Sequence, residues 1–223
     1  MKRNRFLLSV SALALLMTLI GCDKAGGTTE AGTTASSTGT TPAPDGGPDV
    51  KIARPAMKGE GNKVTGDKII IGLVASENGE LRPWGIDSVR GAELAVEEFN
   101  KAGGADGKMV ELHKGDSASK PEQGKSATDK LIAEGSVAIL GEVASGITAQ
   151  MASSCTEKGI PIVAIGATRT DITEKGSNNV FRVCYTDDFQ GPVMAYFAYN
   201  DLGLRKVALM TDKKQPYSTG LSE

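Results

Sequence analysis

Ser145 and Thr168 are the residues best placed for chemistry. Each follows a short apolar run that ends in glycine. VAILG (Val137–Gly141) leads into GEVASGITA, and IPIVAIG (Ile160–Gly166) leads into ATRTD. Such runs read as buried strands, and the turn after the first opens a helix whose N-cap falls at Ser145. A helix start carries unpaired backbone N–H groups and a partial positive charge. It can therefore receive a carboxylate or phosphate, and a serine there adds its hydroxyl. Ligands of open parallel sheets bind at the carboxyl ends of strands, so two hydroxyl-bearing turns at neighbouring strand ends make one candidate anion site. The same two residues could also serve only as helix caps, and spacing alone leaves both readings open.

Other chemistries lack a residue they require. QGKSAT (Gln123–Thr128) contains Gly124-Lys125-Ser126, but Ser119 stands where a phosphate-binding loop needs glycine and Pro121 lies inside the would-be loop. Ser145 is not a nucleophile elbow, because Val143 replaces the first glycine of G-x-S-x-G. His113 is the only histidine, and its place on an alternating strand makes it a surface residue. No cysteine and histidine set has zinc spacing, and no dinucleotide fingerprint follows the first strand. Cys155 falls on one helix face with Ile147 and Met151, and Cys184 ends a strand. The spacing permits a bridge between them and does not require one. No cofactor or metal is expected, and nothing present supplies the nucleophile and base of an enzyme.

The elements that must position Ser145 and Thr168 alternate. KIIIGLVA (Lys68–Ala75) is a strand buried on both faces. A loop (Ser76–Asp87) leads to a helix (Val89–Asn100) with Val89, Ala92, Val96 and Phe99 on one face. Then come a strand (Lys108–Asp116), a helix (Pro121–Gly135), a strand (Val137–Gly141), a helix (Gly146–Lys158), a strand (Ile160–Ile165) and a short strand (Val180–Cys184). This order predicts an α/β fold, a parallel sheet flanked by helices on both faces. A helix (Phe189–Leu202) and a strand (Lys206–Asp212) then open a new unit. The chain is expected to be the first part of a longer one, because it stops at Glu223 as another helix begins.

The N-terminus has the layout of an export signal. Lys2, Arg3 and Arg5 precede the apolar run Phe6–Ile20, which is too short to span a bilayer. Leu19-Ile20-Gly21-Cys22 resembles a bacterial lipobox, which predicts cleavage after Gly21 and lipidation of Cys22. Asp23 beside it resembles the inner-membrane retention signal of Gram-negative lipoproteins. Cleavage removes three positive charges and no negative ones, so the formal charge falls from −2 to −5. A mildly acidic chain argues against a nucleic-acid partner. Residues 22–66 read as a lipidated cysteine and a disordered tether rich in Thr, Gly, Ala, Ser and Pro. As a flexible coil it spans roughly 35 Å.

From Asp67 onward the chain resembles the substrate-binding lipoproteins of branched-chain amino acid ABC importers, the leucine/isoleucine/valine-binding family of type I periplasmic binding proteins. The patches are RGAELAVEEFNKAGG (Arg90–Gly104), GEVASG (Gly141–Gly146), GIPIVAIGAT (Gly159–Thr168), VFRVCYTDDFQG (Val180–Gly191) and DKKQPYSTGL (Asp212–Leu221). The resemblance implies two lobes that close on ligand, with 67–184 as the complete first lobe and 185–223 as the start of a truncated second. It implies that Ser145 and the Thr168 N–H hold a ligand carboxylate, while the Thr168 hydroxyl and the Gly166 carbonyl meet the ammonium. Trp84 stands where the family usually has tyrosine and would line the pocket, and Tyr217 would cover the ligand side chain. A disulfide common in the family would fall at Ser119 and Ala144 and is absent. The family's acidic partner for the ammonium is expected beyond Glu223.

The implied function is an extracytoplasmic, membrane-anchored solute-binding component of an ABC importer. It would bind a branched-chain or related amino acid, or a similar small carboxylate, and deliver it to the permease and ATPase subunits. A sensing module without a transporter and a non-functional truncated remnant are the alternatives, and an enzyme on a similar sheet a remoter one.

Overall fold

The run KIIIGLVA forms β1 (Lys68–Ala75), the strand to which the rest of the sheet is added. The computed structural model describes residues 56, 58–174 and 177–223; the export signal, Cys22 and the greater part of the tether lie outside the described residues. β1 pairs in parallel with β2 (Met109–Asp116) on one side and with β3 (Ala138–Leu140) on the other. β4 (Ile162–Ala164) and β5 (Val180–Arg182) follow β3, giving the order β2-β1-β3-β4-β5, parallel throughout. The chain moves one way from β1 to β2 and the other way from β3 to β5. Connections on the two sides of the β1–β3 junction therefore leave by opposite faces, which opens a crevice at their carboxyl ends.

The crossovers are α1 (Arg82–Lys101), α2 (Pro121–Ala133), α3 (Ser145–Lys158) and the single turn α4 (Asp171–Glu174), which the sequence did not announce. α2 and α3 cover one face and enclose the main core, including Val74, Leu131, Ile139, Met151, Cys155, Ile160 and Ile162, each 1% exposed or less. Burying an aliphatic side chain of this size contributes about 1.5–3 kcal/mol. The other face carries α1 and a smaller cluster of Leu73, Ala75 and Val89. Phe99, expected on the buried side of α1, is 46% exposed.

Helix α1 begins at Arg82, earlier than the expected Val89, so Trp84 lies in its first turn and not in a loop. Pro83 suits a first turn, where its missing N–H has no helical acceptor to lose. Gly85 then lets the helix cross the end of β1, because a Cβ there would sit 1.9 Å from the Ser76 carbonyl oxygen. That contact is tertiary and leaves no periodic signal.

Other expectations also change. His113 is half-buried between Glu111 (3.1 Å) and Glu134 (3.7 Å). Cys155 and Cys184, for which the spacing required no bridge, are both free thiols, in keeping with that reading. Beyond β5, α5 (Asp187–Tyr196) widens into a π-helical turn (Phe197–Asp201). Lys206–Asp212, expected as a strand, joins no ladder among the described residues, with Val207, Leu209 and Met210 at 70–99% exposure. A strand forms only when a neighbour takes up its N–H and C=O groups, and no described residue does so here. The short α6 (Pro216–Ser222) ends the described chain. The tether also needs correction: Lys58–Asn62 is hydrogen-bonded to the domain instead of disordered.

Candidate functional site

The carboxyl ends of β1, β2 and β3 meet on Glu142, which is 1% exposed. Its Oε1 accepts hydrogen bonds from Ser76 (2.5 Å) and Ser117 (2.9 Å), and its Oε2 accepts the Ala144 N–H (2.9 Å). Its backbone carbonyl accepts the Gly166 N–H, which ties in the end of β4. One carboxylate thus pins the turn that precedes α3, because only an acceptor with two free oxygens can serve all three donors.

That turn presents Ser145 as the first residue of α3, not as its cap. The N-cap position is Ala144, which supplies no side-chain cap. First-turn N–H groups consequently lack a side-chain acceptor, the condition in which a helix start attracts an anion. Ser145 is 2% exposed, and its hydroxyl accepts the Arg169 N–H at 3.4 Å. The capping reading fails, and the hydroxyl instead bridges the turns after β3 and β4.

A cleft of about 710 Å³ opens here, lined by Trp84, Val143, Ser145, Gly166, Pro216 and Tyr217 among others. Four of the five candidate residues read from the sequence therefore share one wall or its opposite side. Trp84 is 58% exposed, and its carbonyl accepts the Ser88 hydroxyl. Its helix is held by Ser119, whose hydroxyl accepts the Leu81 N–H and donates to the Asn78 carbonyl. Asp116 fastens the same two loops by accepting from the N–H groups of Glu77 and Ala118 and from the Asn78 side chain. Tyr217 is half-exposed on α6, and its hydroxyl accepts from Gln190 at 3.2 Å.

Thr168, the fifth residue, is 7% exposed and does not line that cleft. Its Oγ1 is enclosed and makes no hydrogen bond to any described residue. Its carbonyl accepts the N–H of Asp187 at 2.9 Å. Asp187 is 4% exposed, and both of its carboxylate oxygens are likewise enclosed without a hydrogen bond. Burying such a group unpaired costs several kcal/mol, which makes it a candidate acceptor for a cationic group. Arg169 feels the field of Asp187 but commits its guanidinium to Asp171, at 2.7 Å from Nε to Oδ1 and through a second contact from Nη2. That pairing holds the guanidinium above its ordinary range, against the opposing effect of burial. Asp187 lines a second hollow, of about 730 Å³, with Arg169, Thr219 and Gly220.

Arg182 fixes the loop between Thr168 and Asp187. It donates to the carbonyls of Ala167 (2.9 Å), Arg169 (2.8 Å) and Thr170 (3.0 Å) and to the Thr173 hydroxyl. Sequence reasoning missed both Asp187 and Arg182. Asp187 reads as an ordinary acid in a first helical turn, and only its burial beside Thr168 sets it apart. No group of three or more metal-ligating side chains occurs among the described residues.

Comparison with known proteins follows the same lines. Residues 68–223 match the periplasmic binding protein family. The Leu/Ile/Val-binding protein homolog 3 of Brucella melitensis is 37% identical over 155 residues, covering 70% of this chain and 42% of that relative. Among solved structures, the branched-chain amino acid transporter substrate-binding protein LivJ of Streptococcus pneumoniae, in complex with isoleucine, gives a TM-score of 0.67 at 33% identity. The match covers 70% of this chain and 44% of that one. The leucine-binding protein LivK of Thermotoga maritima gives 0.65 at 34% identity, covering 69% and 43%. The chain thus spans less than half the length of the relatives it matches. With the family match extending from β1 to the last residue, the chain belongs to the periplasmic binding protein family.

Proposed function

We propose that this chain forms the ligand-capturing lobe, and the beginning of the covering lobe, of an extracytoplasmic solute-binding component of an ABC importer. Its ligand is a branched-chain or related amino acid, and it delivers this to permease and ATPase subunits. Residues 67–184 are read as the first lobe and 185–223 as the start of the second. Cys22 is read as the lipidated residue that anchors the protein to the membrane. The protein carries no catalytic step in this reading.

One observation supports the ligand class above others. An uncapped helix start bearing Ser145 is tied by the Arg169 N–H to the turn that carries Thr168, whose carbonyl in turn accepts the Asp187 N–H. The Thr168 hydroxyl and the Asp187 carboxylate are enclosed without a hydrogen bond to any described residue. The helix start with Ser145 suits a carboxylate, and the Thr168 hydroxyl and the Asp187 carboxylate suit an ammonium, which together describe an amino-acid zwitterion. Trp84 and Tyr217 then take the side chain, and the Gly166 carbonyl provides a further acceptor for the ammonium. Charge-assisted hydrogen bonds of this kind contribute about 1.5–3 kcal/mol each. Closure follows because ligand contacts both sides only when they approach.

The test is calorimetric titration of the intact protein with leucine, isoleucine and valine. The double variant Ser145→Ala, Thr168→Ala is expected to lose binding while keeping its circular dichroism spectrum. Unchanged affinity in that variant refutes the assignment.

A further inference from the structure

At the pole opposite the cleft, the chain binds a piece of itself. Lys58 N–H donates to the Thr156 carbonyl (3.1 Å), and Gly61 N–H donates to the Lys158 carbonyl (3.0 Å). Asn62 Nδ2 donates to the carbonyls of Ile132 (2.8 Å) and Ser136 (2.9 Å). These acceptors belong to the last turns of α2 and α3 and the residues just after α2, where helical carbonyls run out of intrahelical donors. The approach is backbone to backbone. A Cβ at Gly59 would lie 2.3 Å from the Lys158 carbonyl carbon, and one at Gly159 would lie 2.2 Å from the Gly59 oxygen. Gly61 has φ +72°, a conformation that side chains resist, and its Cβ would lie 2.6 Å from the Gly159 oxygen. KGEGN is therefore shaped for this one surface, although its composition reads as spacer.

We infer that Lys58–Asn62 is a clip that fixes where the N-terminal extension leaves the domain, at the end of α3 remote from Ser145. α3 has 14 residues and is ~21 Å long at 1.5 Å per residue. Lys58 is therefore held about that far from Ser145. For an anchored protein the clip sets the point on the domain to which the tether is attached. That consequence rests on the proposed anchoring, whereas the clip itself does not.

Hydrogen exchange and limited trypsin digestion of the intact protein, without ligand, test it. Lys58 and Gly61 amides are expected to be protected in the parent protein. In Gly59→Val their protection should fall about tenfold or more, with β1 and β3 unchanged, since clip and sheet open separately. Cleavage after Lys58 and Lys63 should quicken in step. Asn62→Ala, which leaves the backbone free to dock, should show the same change to a smaller degree. Free-peptide exchange at Lys58 and Gly61 in the parent protein, or unaltered protection and cleavage in Gly59→Val, overturns the clip. Failure of leucine to bind would leave these readouts untouched, so the two ideas fail separately.

Discussion

Replacing Asp187 by asparagine should move stability and affinity in opposite directions. The carboxylate is 4% exposed and neither oxygen makes a hydrogen bond to a described residue, so Arg169 offsets its charge only through space. Relieving an unpaired buried charge returns up to several kcal/mol. Against this, Asp187 is the first residue of α5, where a negative group gains about 0.3–2 kcal/mol from the helix dipole. The balance is a variant between equally stable and about 2 kcal/mol more stable, a melting point unchanged or raised by as much as 4–8 °C. Ligand binding should suffer, because removing one partner of a buried charge pair costs about 2–5 kcal/mol. The lower figure already corresponds to a roughly 30-fold rise in Kd for leucine. Differential scanning calorimetry without ligand and titration calorimetry with leucine supply both numbers on one preparation. An Asp187→Asn protein that is markedly less stable and binds leucine unchanged would refute the reasoning, since the carboxylate would then be a purely structural group.

Asp116 should govern acid stability. Burial alone would raise its carboxyl, but the Asn78 side chain and the N–H groups of Ala118, Glu77 and Asn78 hold it below the ordinary 3.8. A depressed folded-state value contributes stability that is present above 3.8 and is lost as pH falls through the folded value. Asp116→Asn should therefore melt lower than the parent at pH 7, with the gap closing as the pH falls below 3.8; a constant gap contradicts this. The Cys155 thiol, pushed up to about 12 by burial and by the nearby Asp129, should resist iodoacetamide at pH 8 while the half-exposed Cys184 reacts. Mass spectrometry locating label first on Cys155 would contradict the core packing. Glu142→Leu should weaken leucine binding more than Glu142→Gln, which retains an acceptor for the Ala144 N–H; equal loss in the two variants would show that the turn does not depend on that bond.

What the sequence disclosed was whatever packing writes as a pattern. KIIIGLVA, VAILG and IPIVAIG are apolar because both faces of the sheet bury them, and the turns after them follow from where those runs stop. Ser145 and Gly166 were singled out as candidates for that reason, and Tyr217 because it lies in a family patch, whereas Trp84 was a candidate through the resemblance alone. The rest depends on contacts between distant segments. The start of α1 is set by Gly85 against Ser76, the Glu142 network by three strand ends, and the docked arm by Gly59 against Gly159. Lys206–Asp212 failed in the opposite sense. Its residues have strand character, but no described neighbour offers it a ladder. Asp187 was hidden because an acid in the first turn of a helix is ordinary, and only the absence of partners reveals it.

The most direct test of the zwitterion site is a titration of the intact protein with leucine and with each half of it. The two comparators are 4-methylpentanoate, which lacks the ammonium, and 3-methylbutylamine, which lacks the carboxylate. Leucine should bind and each analogue should be weaker by about 100-fold or more, because a buried charged group is left unpaired in either case. Equal affinity for leucine and 4-methylpentanoate would mean that Asp187 and Thr168 face no cation, and the assignment of the ligand class would fall.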